Sequence, residues 1–161
     1  MKSLHLAALF LLSNLVACAH GRTITGTTIP ANQTNQDILE TVEDYRNKLV
    51  QKDIDGLLLL ASERYFEDAG TPQAGDDYGF EGLRTILTSR LRRVQSIRFD
   101  IEYRGITVTG DQAEVEVLLN GAFELRGETG DLFRRVSDIH RFILEKSKTG
   151  GVSKWKFLSG M

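Results

Sequence analysis

A single cysteine, Cys18, occurs among the 161 residues, with only two prolines and three histidines. One thiol cannot close an internal disulfide, so the chain is not a disulfide-stapled scaffold and must fold on an apolar core. Charge of one sign is lacking as well: 20 Lys and Arg face 22 Asp and Glu, for a net charge of −2. The broad basic field of a nucleic-acid binder is therefore absent, and no nucleic-acid partner is expected. There is no uninterrupted apolar run of the roughly 20 residues that a permanent membrane-spanning helix needs. Gly-x-Ser-x-Gly, a Walker-type loop and Gly-x-Gly-x-x-Gly are all missing, which removes hydrolase-elbow, nucleotide and dinucleotide chemistries. What is present, 41% hydrophobic and 26% charged residues, describes one ordinary folded domain.

The first eighteen residues carry a targeting pattern. Lys2 precedes a short apolar run from Leu4 to Leu12, and Leu15-Val16-Ala17-Cys18 follows. The run is too short to span a bilayer and reads as a cleavable signal. Its end closely resembles the lipobox of bacterial lipoproteins, in which cleavage between positions matching Ala17 and Cys18 leaves a lipidated cysteine as the first residue. That resemblance implies a thioether-linked diacylglycerol and an added acyl chain such as palmitate on Cys18, enough for stable anchoring. Ala19 in place of Asp resembles the outer-membrane-sorted class, so the expected location is the bacterial cell envelope, on the periplasmic side of the outer membrane.

Residues 1–17 are thus expected to be the signal and residues 18–36 a lipidated cysteine with a polar, solvated tether that spans roughly 60 Å at full stretch. The folded domain is expected over residues 37–161. Ile38, Val42, Tyr45 and Leu49 mark a first amphipathic helix, with Asn35 or Asp37 as its cap. Asp53 opens a second, whose stripe of Ile54, Leu57, Leu58 and Ala61 extends to Tyr65. A loop over residues 67–79 precedes a third helix to about Val94. After Gln95 the apolar period changes from 3.6 to 2, and Gly110-Asp111, residues 127–131 and residues 148–151 supply hairpin turns between the strands. Helices followed by hairpin-joined strands imply an α+β domain, three N-terminal helices packed on a curved antiparallel sheet.

Residues 38–159 resemble the nuclear transport factor 2-like superfamily, the cone-shaped, cystatin-like α+β fold that includes SnoaL-like proteins. The resemblance rests on Lys52-Asp53-Ile54-Asp55-Gly56-Leu57, Tyr65-Phe66-Glu67-Asp68, Gly82-Leu83, residues 108–115 as a hairpin, and Trp155-Lys156-Phe157 as a final strand. These are turn and packing motifs, so they speak for fold more than for activity. Members of this superfamily commonly dimerise through the sheet face, which here would bring Glu114, Glu116 and Asn120 into an interface.

Acid–base chemistry in the cone is the catalytic reading that survives. Enzymes of the superfamily set an Asp or His base and Tyr donors against an apolar wall, where desolvation tunes the base. The candidates are Tyr45, Tyr65, Asp68, Tyr78, Asp138, His140 and Arg141. Asp138 and His140 share one strand face with Phe142 and Leu144 and form the sharpest pair. A cross-strand hydrogen-bonding role explains the same two residues, and Ile139 and Ile143 leave open which face points inward. Asp76 and Asp77 are two acids without the further ligands of a calcium loop, so no metal site and no cofactor is expected. The arginines from Arg84 to Arg98 read as a solvated face. The sequence is therefore read first as a membrane-anchored module that binds a protein, a second copy or a small apolar ligand without catalysis. A SnoaL-like small-molecule lyase or isomerase is the alternative.

Overall fold

The computed structural model describes residues 22–68, 76–127, 130–149 and 151–161. Cys18, Ala17 and the whole targeting segment lie outside the described residues, as do parts of the turns expected after Gly127 and Lys148. Three helices, α1 (Gln33–Gln51), α2 (Ile54–Leu60) and α3 (Phe80–Arg93), lie against one face of a four-stranded antiparallel sheet. The sheet runs β3 (Val94–Thr109), β4 (Gln112–Arg126), β5 (Asp131–Thr149) and β6 (Val152–Ser159) in spatial order. A second, two-stranded piece pairs β1 (Phe66–Glu67) with β2 (Tyr78–Gly79). No helix among the described residues is long and apolar enough to cross a membrane.

The helices form where periodicity and capping agree. Asp53 accepts the Gly56 N–H at 2.9 Å and so caps α2, as the sequence predicts. Gly56 is required there, since a Cβ would collide with the Asp53 carboxylate. Lys52 closes α1 in the left-handed region at φ 58°, where its N–H returns to Leu49 O and Lys48 O. Its ammonium reaches Val94 O and Gln95 O at 3.1 and 3.2 Å, which ties this corner to the start of β3. Burial of Ile38, Val42 and Leu49 of α1, Leu57 of α2 and Leu83 and Leu87 of α3 against Phe99, Val115, Val117, Phe142, Leu144 and Phe157 makes the core. The sheet is stitched by a two-residue turn at Gly110-Asp111, where Gly110 takes φ +59°.

Three expectations need correction. The tether ends earlier than the polar composition suggests: Thr23 and Pro30 form a β-bridge, Ile29 is only 3% exposed, and α1 begins at Gln33. Its cap is Asn32, which accepts Asn35 N–H at 2.8 Å, rather than Asn35 or Asp37. Asn35 is itself buried and donates to Pro30 O, so polar residues here serve a packed strap. The second correction is the end of α2. The stripe continues to Tyr65, but the helix stops at Leu60 because Ala61 is drawn into a bridge with Phe157 and Ser62 N–H donates to Phe157 O. Thirdly, the loop expected over residues 67–79 is held at both ends by the β1–β2 pair.

Starting the chain at Asp37 instead of Arg22 removes the Asn32 cap and the buried Ile29, and is expected to cost about 3 kcal/mol of stability, read from urea unfolding midpoints. The Asp53 cap adds a pH dependence. The Gly56 N–H, and after it Lys48, hold the Asp53 carboxyl below its ordinary range. A lowered folded-state pKa contributes stability above the unfolded value and loses it as pH falls through the folded one. The stability difference between Asp53→Asn and the unaltered chain is therefore expected to shrink from neutral pH to about pH 3.

Candidate functional site

The alternation on β5 places Phe142 and Leu144, both fully buried, toward the helices, which settles the parity that the sequence leaves open. His140 and Asp138 follow on that same parity, yet they are not brought together in a cavity. Asp138 is exposed, while His140 is half-buried against the Phe142 ring, with centroids 4.8 Å apart. The Nε2 of His140 lies 2.7 Å from Gly160 O. A carbonyl only accepts, so Nε2–H donates and the ring nitrogen aimed at this contact is committed to the backbone. The Asp138–His140 acid–base pair expected from the sequence is therefore not assembled. Arg141 is on the opposite face, ion-paired to Glu114 at 2.9 Å.

The tyrosines divide by environment. Tyr45 projects from α1 into the core, where its ring meets Phe142 and Phe157, each at 5.4 Å, and Phe99 at 6.2 Å. Burial, with Tyr78 adding a smaller effect, pushes its phenol well above the ordinary value. Tyr45 is thus a neutral packing residue. Tyr65 is 2% exposed, and Tyr78 stacks on it at 6.3 Å. Tyr65 OH donates to Glu67 Oε2 and accepts Met161 N–H, both at 3.0 Å. Desolvation, chiefly, raises its phenol too, so it stays protonated and donating. Tyr78 is raised for the same leading reason, with Glu67 adding to it. Asp68 is exposed at the end of β1.

Residues not singled out from sequence complete this cluster. Glu67 Oε2 also accepts Gly160 N–H at 2.7 Å. A continuous chain of bonds therefore runs from His140 through Gly160 to Glu67, Tyr65 and Met161. Tyr65 and Glu67 are two apart on an extended segment, a period-2 signal that points both to one side. The contacts from Gly160 and Met161 cross more than ninety positions and have no local signature. Tyr103, likewise unforeseen, donates to Glu43 at 2.6 Å, and Arg46 holds the same carboxylate at 2.7 Å.

Clefts among the described residues lie outside the core. A groove of about 700 Å³ between β2 and α3 is lined by Glu67, Asp77, Tyr78, Thr85, Ile86 and Arg90. Clefts of about 320 and 480 Å³ sit on the sheet around Arg98, Ala122 and Arg135. On the outer sheet face Glu116 pairs with Arg104 and Asn120 bonds Ser137. Among the described residues no group of three His, Cys, Asp or Glu side chains is placed to hold a metal ion.

No family model matches the sequence, and no curated protein matches it. Solved structures do resemble its fold. A conserved protein from Planctomyces limnophilus is 17% identical with a TM-score of 0.65, covering 78% of this chain and 91% of that one. A ketosteroid isomerase-like protein from Erwinia carotovora atroseptica is 18% identical, covering 79% of this chain and 92% of that one, with a TM-score of 0.62. A dehydratase-like protein of the nuclear transport factor 2-like family from Streptomyces avermitilis is 15% identical, covering 78% and 91%, with a TM-score of 0.56. At these identities the likeness establishes the fold, which is nuclear transport factor 2-like.

Replacing Tyr65 by Phe leaves the half-buried Met161 N–H without its acceptor and Glu67 without one donor. The variant is expected to lose about 1 kcal/mol, read by chemical denaturation, with faster hydrogen exchange at Met161.

Proposed function

We propose that this chain is a bacterial envelope lipoprotein, anchored through Cys18, whose nuclear transport factor 2-like cone binds other molecules through its surfaces rather than by acid–base catalysis. The observation that carries the non-catalytic part is the state of the expected pair: Asp138 is exposed while His140 is bonded to Gly160 O. A general base must reach a proton in a pocket it shares with its donor. Here the hydroxyl of Tyr65 and the carboxylate of Glu67 are occupied by backbone amides, which is what a structural clasp requires. The likeness to isomerase-like and dehydratase-like folds favours the alternative, a lyase or isomerase, but that chemistry would need His140 freed from Gly160.

The anchoring part is supported by the lipobox-like Leu15-Val16-Ala17-Cys18, and Ala19 in place of Asp supports a location at the outer membrane facing the periplasm. Two or more acyl chains hold a protein on a bilayer, since each buried methylene contributes about 0.8 kcal/mol. Intact-mass spectrometry of the native product is expected to show a chain that begins at an acylated Cys18, and Cys18→Ser is expected to move the protein out of the membrane fraction. A free thiol or a retained Met1 would overturn the reading. For catalysis, His140→Gln keeps a donor for Gly160 O; it is expected to complement a deletion strain fully, whereas an enzyme that uses His140 as its base would fail to.

A further inference from the structure

Strand β5 is longer than the strand beside it. β6 pairs with it only over Ile143–Thr149, so residues 131–139 have β4 on one side and no strand among the described residues on the other. All nine are exposed, Phe133 by 79% and Ile139 by 54%. Lys146 N–H points toward β4, where it donates to Asp111 O, and the β4–β5 ladder runs without a register shift. Alternation then turns the N–H and C=O groups of Asp131, Phe133, Arg135, Ser137 and Ile139 to the open edge. Beyond Arg141 the edge is closed by Gly160, which lies against the Arg141 carbonyl.

We propose that a second copy of this chain adds antiparallel to this edge, with Val136 on the twofold axis. Residues 133–139, FRRVSDI, which lie short of the part closed by Gly160, are complementary to themselves about that axis. Arg134 falls opposite Asp138 of the second copy and Phe133 opposite its Ile139, and symmetry makes each pair twice. Arg134 and Asp138 make no ion pair within the chain among the described residues. Antiparallel hydrogen bonding permits only registers that set odd residues against odd, which confines the axis to a residue. An axis at Arg135 sets Arg135 against itself and Asp138 against Leu132. An axis at Ser137 sets Phe133 against Arg141 and Asp138 against Val136, and one at Asp138 opposes two Asp138 carboxylates. Among these neighbouring registers only the Val136 axis matches charge with charge and apolar with apolar. Charges also protect open edges from pairing, but protection calls for repulsion in every register, and here one register is attractive throughout. The pairing is independent of the anchor at Cys18.

The test uses the full chain carrying Cys18→Ser, which removes the one native thiol. Sedimentation equilibrium is expected to show a monomer–dimer equilibrium. Arg134→Asp or Asp138→Arg alone should weaken it about tenfold, because each change turns two attractive pairs repulsive. The double variant should return it to within about twofold, since the opposed charges are merely exchanged. Both positions are exposed, so thermal melts of all three, taken well below the dimer dissociation constant, should coincide. In the same background, Val136→Cys should oxidise to a disulfide-linked dimer while Asn120→Cys on the sheet face should not, because residues opposite each other at a non-hydrogen-bonded position bring their Cβ atoms within about 5 Å. A monomer at every concentration, a dimer indifferent to the single reversals, a double variant that is not restored, or cross-linking at Asn120 and not at Val136 would each overturn the proposal.

Discussion

Burial of Phe142 against Tyr45 and Phe157 decides what each half of the longest strand can do. These three rings bring α1, β5 and β6 together at one end of the sheet, with centroids 5.4 Å apart for each pair. Ring contacts of this kind add stabilisation beyond the area they remove from water. Past Phe142 toward the start of β5, the apolar cover gives out: His140 is half-buried and Asp138 is in water. In this chain the apolar face of β5 at Phe142 is packed against Tyr45 of α1.

The polar cluster next to the core follows from the same geometry. β6 ends at Ser159 and the chain turns inward, where Gly160 meets both His140 and Glu67 and Met161 meets Tyr65. A half-buried carboxylate and a half-buried amide each lose part of their hydration, and bonding the Glu67 carboxylate to the Gly160 amide offsets that loss for both. The sheet edge is held in the same way further along, where Glu145, buried, accepts from Ser62 and pairs with Arg64. Among the described residues no fully buried side-chain nitrogen or oxygen lacks a partner. That satisfaction is what a structural network requires.

Sequence patterns carry this fold unevenly. The change of period after Gln95 and the Asp53 cap are local, and both appear in the structure where the pattern puts them. The strap before α1 was hidden by its composition: residues 22–32 are rich in Thr, and it is the buried Ile29, the Thr23–Pro30 bridge and the bonds of Asn32 and Asn35 that reveal that they pack. The early end of α2 depends on Phe157, almost a hundred residues away, so no window of local sequence contains the cause. The site was legible only as an inventory. Alternation put Asp138, His140, Phe142 and Leu144 on one face correctly, but how far the helices cover that face is set by tertiary packing, and the last residues that claim His140 and Tyr65 carry no motif.

The strap has a consequence for how an anchor of the kind proposed at Cys18 would present the domain. The described chain is bonded from its first residue, where Arg22 O accepts Ala31 N–H, so Cys18 lies at most roughly 14 Å of extended chain from the packed strap, instead of the roughly 60 Å expected of an eighteen-residue tether. A body held that close to a bilayer cannot roam far above the headgroups or tumble freely, and its orientations are limited by the strap that leads into α1. Confinement to a surface also raises the local concentration of copies, so contacts too weak to persist in solution become populated. The pairing proposed at the open edge with exposed Phe133 and Ile139 needs no anchor, and such confinement would only populate it further. Its mixed charges are then explained by selectivity: crowded copies meet in many registers, and opposite charges about Val136 favour one of them over the aggregating remainder.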